Sequence, residues 1–482
     1  MAGGTWSTTD KPVLPGFYMA FRSAATAAIQ PGSRGVAIAP VRAHWGPINQ
    51  FVDISSEVEI ANAFTRSEEN GATAYSALKL ALLGGARKVF AYRLADGNAA
   101  VATVTLADSA STPVNVVKLE AKYPGSRGND FKVTVQVNPT DSGKKDLKLF
   151  EGTTLLRTFT FAGNSVKAAV NEINGDAGNK WITATNLGEG NGTLANVSGI
   201  SLTGGNSGIA AIANAEYLNA LADFETQDFN VVFLDGVSDS GLHASVAAWV
   251  GRIRDEGKGV IAVFGGSAAD DKAADAVSKA ISRSAAMNHE GIVNVGTGVK
   301  FNGTSYSSAQ VTAYVAGLIA GQGLSQSTTY APSPFEDVTR RWTRSEQEQA
   351  VRNGVFLLVH DGRLVKALRG INSLVTLREG QNNPWKKIRT IRVMDSINSD
   401  LQRTAEDAYI GKVNNTEEGR LALIGACKQY MQSLAQAGII EAEGYDVYVD
   451  TEFTPEPDQV FLKWEARLTD VMEQIFSTFI VR

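Results

Sequence analysis

Few residues of this chain have the type and spacing that metal chemistry needs. Four histidines lie far apart and never four residues from one another: His44, His243, His289 and His360. A zinc-protease motif requires two histidines one helical turn apart, so His289 followed by Glu290 does not form one. The single cysteine, Cys427, excludes an internal disulfide and a multi-cysteine zinc site, and we interpret it as a small buried apolar residue. The sequence therefore predicts no metal site.

A serine nucleophile would need a histidine held against it. Ser207, in GGNSGI (204–209), loosely resembles a nucleophile elbow, but Ile209 stands where the motif needs glycine and no strand precedes it. His243 could act as a base, with Asp235 or Asp239 nearby in sequence, but no pattern places a serine beside it. We interpret the first stretch as a linker and His243 as a surface or helix-capping residue. No catalytic residue is predicted.

Two glycine-rich stretches could be considered for phosphate binding. GRIRDEGKG (251–259) has five residues between Gly251 and Gly257 instead of four, and Gly259 replaces the Ser or Thr that would hold magnesium. It also precedes a predicted strand, whereas a P-loop follows one, so it is typical of a helix end. GTG (296–298) lacks the third glycine of a dinucleotide fingerprint and is interpreted as a turn. No cofactor is predicted.

Adjacent acidic residues could form a catalytic carboxylate pair. Three such pairs occur: Glu68-Glu69, Asp270-Asp271 and Glu417-Glu418. Each falls at a predicted helix start, where negative side chains stabilise the helix dipole. We interpret all three as solvated structural acids.

The sign of the charge changes along the chain. Residues 340–392 hold twelve basic and four acidic residues, a balance of +8, whereas seven basic residues face sixteen acidic ones from 393 to the end, a balance of −9. This pattern favours contact between copies or with a charged partner, with a solvated surface as the equal alternative. Nucleic acid is not predicted as a partner, because the net charge is −5 and aromatic residues are not interleaved with the basic block.

Length and composition limit the class of protein. With 482 residues, 44% of them hydrophobic and 20% charged, we expect three or four folded domains. The first residues lack the basic and apolar regions of a secretory signal. Apolar stretches stay well below the roughly 18 residues of a membrane-spanning helix, so no membrane insertion is predicted.

Periodicity divides the chain into five parts. Apolar strands alternate with helices in two stretches, and many short strands between turn residues lie between them, which is typical of α/β domains separated by a β-sandwich. The last part contains a long helix, with an apolar stripe on Leu421, Ile424, Met431 and Leu434, followed by strands. The predicted fold class is a multidomain α/β protein with these parts: an extended arm (1–24), an α/β domain (25–96), an inserted β-sandwich (97–204), a second α/β domain (205–380) and an α+β domain (381–482).

Local signals predict several elements within these parts. Ser56 with Glu59, and Ser345 with Glu348, fit capping boxes at helix starts, and Gly84-Gly85 is typical of a helix end. Apolar runs such as 260–264 alternate with helices, one of them over about 268–286, which predicts a parallel sheet. In the sandwich we expect strands near 101–106, 114–121, 131–137, 146–150 and 154–161, and a helix at 165–174.

Both ends of the sequence carry apolar strands without an obvious partner. Five of the thirteen prolines lie in the first fifty residues, where Val13, Phe17, Met19 and Phe21 alternate with other side chains. The last apolar run, 475–481, is also predicted to be a strand. An unpaired strand associates with another chain unless its own chain covers it. Strand exchange between copies and pairing within one chain are equally weighted alternatives at this point.

Several stretches resemble the contractile tail sheath proteins of phages and phage-like particles, in particular those from Gram-positive bacteria. PGFYMAF (15–21) is similar to the amino-terminal arm of that family, and residues 82–93 are similar to its helix-to-strand junction with paired glycines. Residues 121–133 resemble the opening of its β-sandwich, and RGINSL (369–374) and residues 394–415 resemble later segments. The order and spacing of these stretches cover nearly the whole chain.

The resemblance implies that the second α/β domain has a subtilisin-like topology without being a protease, and that the last domain faces the tail tube, with a helix at about 416–437. It also implies that terminal arms of neighbouring copies complete one sheet on a third copy. We carry this strand exchange onto eight residues: Val13, Phe17, Met19, Phe21, Ile475, Phe476, Phe479 and Val481.

The function that the resemblance implies is that of a structural subunit, not an enzyme. It would form a helical homo-oligomer of stacked hexameric rings around a tail tube and contract to drive the tube through the host envelope. Its partners would be the tube, baseplate and tail terminator proteins, and it would belong to a virion tail assembled in the host cytoplasm. The alternatives are a hydrolase or nucleotide-binding enzyme on the α/β core, and a scaffold that forms closed rings.

Overall fold

The computed structural model of this protein describes most of the chain: residues 34–481 together with Gly3–Gly4, Phe17–Tyr18 and Ile29. Contacts divide the chain into two compact units. The first unit is Ser33–Asp395, and the second combines Met1–Gly32 with Ser396–Arg482. The two ends of the sequence therefore belong to the same unit.

Two short strands come first, in the second unit. β1 (Gly3–Gly4) pairs in parallel with β2 (Phe17–Tyr18), with Gly3 opposite Phe17. Of the four amino-terminal residues predicted to exchange strands, Phe17 lies in β2. The other three lie outside the described residues: Val13, Met19 and Phe21.

The first unit opens with the start of an α/β core. Its elements are β3 (Val36–Arg42), β4 (Phe51–Ile54), α1 (Glu57–Ala63), α2 (Ala74–Gly84) and β5 (Lys88–Leu94). The Ser56 side chain accepts a hydrogen bond from the Glu59 N–H and caps α1, as predicted, but the Glu59 carboxylate accepts from the Ser55 N–H and so does not complete a capping box with Ser56. The proline-rich pattern of the first fifty residues did not predict β3, in which Pro40 lies.

An inserted β-sandwich follows, as predicted. Its elements are β6 (Thr103–Ala107), β7 (Asn115–Ala121), β8 (Phe131–Val137), β9 (Lys144–Glu151), β10 (Thr154–Ala162), α3 (Val166–Gly175), β11 (Ile182–Asn186) and β12 (Val197–Ser201). The strands form two antiparallel sheets, in the orders β10–β9–β8–β12 and β11–β7–β6. Their inward side chains and one face of α3 share a single core. The last two strands were not predicted.

The chain then returns to the core, with helices between strands. These elements are α4 (Asn214–Phe224), β13 (Val231–Phe233), α5 (Ser240–Asp255), β14 (Ile261–Gly265), α6 (Ala268–Lys272), α7 (Ala276–Met287), β15 (Ile292–Val295), β16 (Val299–Phe301), β17 (Thr304–Tyr306), α8 (Ser308–Gly321), β18 (Asp337–Val338), α9 (Arg344–Arg352), β19 (Val355–Phe356), β20 (Leu358–His360) and β21 (Val365–Ala367). The alternation of strand and helix predicted a parallel sheet, and the pairing of β13, β14 and β15 confirms it.

One sheet of seven strands organises the core, in the order β19–β15–β14–β13–β3–β5–β4. Six strands are parallel, and β4 at the edge is antiparallel to β5. Residues 25–96 and 205–380, which the sequence pattern separates, both contribute strands to this sheet. They join where β3 pairs with β13, with Ala37 opposite Val231. Helices cover both faces: α2 and α8 on one, α4 and α5 on the other.

Helices α2 and α8 touch through their backbones. A Cβ atom on Gly317 would lie 1.9 Å from the Ala81 carbonyl oxygen, and one on Gly84 would lie 2.2 Å from the Tyr314 carbonyl oxygen. Glycine at these positions is therefore what allows the helices to approach so closely. The predicted helix stop is also confirmed, since α2 ends at Gly84 and Gly85 has a φ of +116°.

Two local predictions are wrong in detail. The helix predicted over 268–286 is divided into α6 and α7, because Ala273 takes an extended conformation with a ψ of 153°. The capping box of α9 uses Thr343 and Glu346 instead of the predicted Ser345 and Glu348. Both pairs fit the same sequence pattern, and in the structure Thr343 and Glu346 make the reciprocal hydrogen bonds.

The remaining elements lie near the carboxyl end. They are α10 (Ile388–Thr404), a π-helical turn (Ala405–Tyr409), α11 (Glu417–Gln436), β22 (Asp446–Val449) and β23 (Leu462–Glu465). Met431 and Leu434 of the predicted stripe on α11 are buried, but Leu421 is 61% exposed, so the stripe is wrong at that end. Cys427 is buried, as predicted, and burial raises the pKa of its thiol to about 11.

Candidate assembly site

Ser207 lies beside a histidine that the sequence did not connect with it. The Nδ1 atom of His44 is 2.8 Å from Ser207 Oγ, and its Nε2 atom is 2.8 Å from the Glu69 carbonyl oxygen. The Ser126 N–H also donates to Ser207 Oγ, at 3.0 Å, and Arg93 donates to the Ser207 carbonyl oxygen. His44 and Ser207 are both buried. Because neighbouring groups of the protein surround this hydroxyl, the pair joins the sandwich to the core and does not present a nucleophile to solvent.

His243 is buried in α5, so the prediction of a surface or capping position is wrong. Its ring stacks on Phe264 with the ring centres 4.6 Å apart, and Nε2 lies 3.1 Å from the Val237 carbonyl oxygen. The cap of α5 is Asp239, whose Oδ1 accepts from the Leu242 N–H at 2.7 Å. Burial lowers the pKa of His243 to about 4, which keeps the ring neutral at neutral pH.

Asp235 is also fully engaged, and not with His243. Its carboxylate forms an ion pair with Arg42 at 2.8 Å and accepts from the Tyr217 hydroxyl at 2.7 Å. Thr73 donates to the same carboxylate. These contacts join β3, α2 and α4 to the end of β13, which gives Asp235 a structural role.

The acidic pair at the start of α6 is divided between solvent and core. Asp270 forms an ion pair with Lys279 at 2.9 Å. Asp271 is buried and accepts from both the hydroxyl and the backbone N–H of Ser308, each at 2.6 Å. The prediction of a solvated acid is therefore wrong for Asp271, because it caps the first residue of α8. Burial raises its pKa to about 6.

The two glycine-rich stretches are a helix end (251–259) and a turn (296–298), as predicted. Helix α5 ends at Asp255, and Gly257 has a φ of +96°, typical of a chain leaving a helix. Residues 296–298 connect β15 to β16. In the described part of the chain, histidine, cysteine, aspartate and glutamate side chains do not gather in groups of three or more that could hold a metal ion.

Part of the basic block is paired or buried within the first unit. Four of its side chains form ion pairs there: Arg340 with Glu346, Arg341 with Asp337, Arg344 with Glu348, and Lys366 with Asp361. Arg392 is buried and donates to the carbonyl oxygens of Ala320 and Gln322. Burial lowers the pKa of Arg392 to about 10. Glu346, Glu348 and Asp361 are already counted in the local balance of +8, so only the pair with Asp337 and the burial of Arg392 reduce the charge that faces solvent.

In the second unit, β22 and β23 form a hairpin with open edges. The two strands are antiparallel, with Asp446 opposite Glu465 and Val449 opposite Leu462. Among the described residues no third strand pairs with either of them. Alternate backbone groups on the outer side of each strand can therefore pair with an added strand.

The carboxyl-terminal segment (residues 469–481) follows this hairpin and has no helix or strand. Its large apolar side chains are mostly exposed: Met472 90%, Ile475 81%, Phe476 90%, Phe479 90%, Ile480 76% and Val481 81%. The strand predicted here is absent from the single chain, because a strand needs a partner to hydrogen-bond with. Contiguous exposed apolar side chains mark an interaction site.

An α/β core with an inserted sandwich and an exposed apolar end has the features of a structural protein that assembles with other chains. Three family models match, and they account for most of the sequence. They are the β-sandwich domain (95–207), the central domain (210–373) and the C-terminal domain (380–482) of phage tail sheath proteins. The chain belongs to the phage tail sheath family. It is a structural subunit of a contractile tail sheath, and hence a component of the tail of a phage or phage-like particle.

Known proteins are similar to this chain over nearly its full length. The phage-like element PBSX protein XkdK of Bacillus subtilis strain 168 is 28% identical and is matched over 99% of both chains. The crystal structure of a sheath tail protein from Desulfitobacterium hafniense has 26% identity and a TM-score of 0.70, covering 94% of this chain and 100% of that one. The contracted helical sheath of the anti-feeding prophage, at 13% identity and a TM-score of 0.57, shares the fold over 98% of this chain and 99% of its own.

The comparisons give no support to the alternative of a hydrolase or nucleotide-binding enzyme, and sheath membership indicates a non-enzymatic role. Among the helices of the described residues, none has the length and apolar character that crossing a bilayer requires.

Proposed function

We propose that this chain polymerises helically around a tail tube, and that contraction of the resulting sheath drives the tube through the host cell envelope. The observation that carries the proposal is the exposed carboxyl-terminal segment beside a hairpin with open edges. A segment of this kind is stable when another chain covers it. The segment of one copy would contact the hairpin of the next, so the contact joins two different surfaces. Contacts of this kind generate an open helical assembly when the rotation from one copy to the next does not close into a ring.

The terminal residues make this contact by strand exchange. Arms of neighbouring copies complete a sheet on a third copy, through the residues assigned from the sequence: Val13, Phe17, Met19, Phe21, Ile475, Phe476, Phe479 and Val481. Each phenylalanine, isoleucine or valine that becomes fully buried contributes about 1.5–3 kcal/mol. Each added backbone hydrogen bond contributes about 0.5–1.5 kcal/mol. Several such residues per arm suffice to hold neighbouring copies together while other contacts rearrange.

Contraction in this proposal is a change in packing between subunits. The extended sheath is metastable, a baseplate signal releases it, and new contacts between copies supply the work without a nucleotide or other cofactor. The copies form stacked hexameric rings, and the other partners are the tube, baseplate and tail terminator proteins. Assembly takes place in the host cytoplasm. Support for helical self-assembly and for a baseplate partner comes from structures that share the fold, one described as a contracted helical sheath and one as a baseplate. The core takes the subtilisin-like topology of the family.

Negative-stain electron microscopy of the purified chain tests the proposal. We expect hollow helical tubes from the full chain and none from two deletions, one lacking residues 1–22 and one lacking residues 469–482. Leu155→Ser is the control, because Leu155 is an apolar residue of the sandwich, 50% exposed and remote in sequence from both arms. It should form tubes like the unaltered chain. Monomers or closed rings from the full chain under all conditions, or turnover of nucleoside triphosphates, would contradict the proposal.

A further inference from the structure

A pocket of about 320 Å³ opens in the second unit, where α10 ends in the π-helical turn. Its lining includes Ala405 and Tyr409 from this turn, Leu423 from α11, and Val460 from the chain before β23. Single π-helical turns are rare and are often found at functional sites. The pocket is therefore a candidate binding site on the surface of this unit.

Two features of the pocket indicate that it is incomplete in a single chain. Ile410, which also lines it, is 66% exposed. The hydroxyl of Tyr409 is buried and has no hydrogen-bond partner among the described residues. A buried hydroxyl is normally hydrogen-bonded, so an incoming chain that offers a carbonyl oxygen would complete the site.

One wall of the pocket is continuous with the open hairpin. Val460 precedes the first residue of β23, Leu462, by two positions, or about 7 Å of extended chain. The side chain of Asn415 fixes this wall, since its amide donates to the carbonyl oxygens of Pro457 at 2.9 Å and Gln459 at 3.0 Å. A strand added along β23 and continuing past its first residue would reach the pocket.

The carboxyl-terminal segment offers side chains of the right kind. Phe476 and Phe479 are each 90% exposed. They lie three positions apart, so in an extended segment they point to opposite faces. Whichever face of an added strand is turned towards the unit therefore presents one phenylalanine.

We propose that this pocket binds a phenylalanine side chain, Phe476 or Phe479, from the carboxyl-terminal segment of a second copy of the chain. A cavity of this size accommodates one aromatic ring and the backbone next to it. The inference rests on the proposed strand exchange and adds the place where one of its side chains docks. Replacing the docked phenylalanine by alanine should weaken assembly about 100-fold, whereas the other phenylalanine should matter less.

Filling the pocket from within is the first test. Ala405→Trp places an indole in the pocket, and Ala442→Trp adds the same side chain at an exposed position of the same unit. We expect the concentration needed for tube formation to rise about 100-fold for the first variant and to stay unchanged for the second. Tubes from Ala405→Trp at the unaltered concentration would overturn the inference. Circular dichroism of both variants checks that they are folded.

Cross-linking gives a second test that does not depend on a bulky substitution. Chains carrying Ile410→Cys are mixed with chains carrying Phe476→Cys or Phe479→Cys, assembled into tubes and oxidised. Cys427 is buried, with its thiol pKa raised to about 11, so it contributes little background. A disulfide between the two kinds of chain supports the inference.

The remaining outcomes separate this inference from the proposed function. Tubes without a disulfide between chains would overturn the pocket and leave the sheath function intact. A third sample uses chains that carry Ile410→Cys together with Phe476→Cys or Phe479→Cys. If a disulfide forms within these chains but never between the mixed single variants, the pocket binds the segment of its own chain, which also overturns the inference. If the unaltered chain forms no tubes, the proposed function fails, and the pocket assignment fails with it.

Discussion

Side chains are buried at the junction between core and sandwich and exposed in the carboxyl-terminal segment. At the junction, Arg93 is fully buried and donates to the carbonyl oxygens of Gly46, Pro124 and Ser207. In the segment, Phe476 is 90% exposed and belongs to no helix or strand. Polar groups at the junction are satisfied within one chain, whereas apolar groups of the segment remain available to another. Stability and assembly are thus placed in different parts of the sequence, and substitutions should separate them.

The largest effect on folding is expected at the junction. Arg93→Leu removes the donor for two buried carbonyl oxygens and a partly buried one, and each unsatisfied buried group costs about 1–3 kcal/mol. We expect a loss of about 4 kcal/mol in the free energy of unfolding, measured with urea. Arg363→Leu, at an exposed position in the turn between β20 and β21, is the control and should change it by less than about 0.5 kcal/mol. If both substitutions lowered the free energy of unfolding equally, the hydrogen bonds of Arg93 at the junction would not be a special source of stability.

Two buried titrating groups of the core should each change the free energy of unfolding by about 3 kcal/mol as the pH falls, with opposite signs. The folded pKa of His243 is lowered to about 4, so its contribution to stability is lost as the pH falls from about 6.5 to 4. The folded pKa of Asp271 is raised to about 6, so stability is gained over nearly the same range. The two contributions nearly cancel in the unaltered chain.

Asp271→Asn should reveal the cancellation. Without the gain from Asp271, the variant should lose about 3 kcal/mol more than the unaltered chain between pH 7 and pH 4. Urea unfolding at a series of pH values measures this difference. Parallel pH profiles for the two proteins would show that Asp271 does not titrate in this range.

A smaller effect is expected where α2 and α8 touch. Gly317→Ala places a Cβ atom 1.9 Å from the Ala81 carbonyl oxygen, and the helices must separate to accept it. We expect a loss of about 2 kcal/mol in the free energy of unfolding. Gly425→Ala in α11 is the matched control, because its added Cβ meets no atom within 4 Å. There the gain in helix propensity should stabilise the protein by up to about 1 kcal/mol.

The smallest effect on folding is expected in the segment. Phe479→Ser removes an apolar side chain that is already 90% exposed, so the free energy of unfolding should change by less than about 0.5 kcal/mol. Assembly into tubes should nevertheless be weakened. A large loss of stability in the monomer would show that the segment packs on its own chain, which would remove the contrast with the junction.

The sequence predicted those elements that neighbouring residues determine. The continuous apolar run of β14 and the helix stop at Gly84 follow from neighbouring residues. The contact between His44 and Ser207 joins positions 163 residues apart, and no local pattern encodes it. Burial of Asp271 depends in the same way on the distant Ser308.

The candidate site was predicted only in outline. The apolar run at 475–481 indicated a surface that needs a partner, and its exposure agrees with that interpretation. Its secondary structure could not be predicted from one chain, because a strand forms only where a second strand supplies hydrogen-bond partners. The pocket at Tyr409 combines residues of α11 and of the chain before β23 with a π-helical turn, and no periodicity in the sequence indicates it.

The contacts of Arg93 also have a mechanical consequence. Its guanidinium holds the carbonyl oxygens of Gly46 in the core, Pro124 within the sandwich and Ser207 at the exit from the sandwich. A swing of the sandwich about its two connections would break these bonds and leave a buried cation without acceptors. We therefore expect the sandwich and the core to move as one rigid body if subunits rearrange, so that a displacement of the core displaces the sandwich by the same rotation and translation.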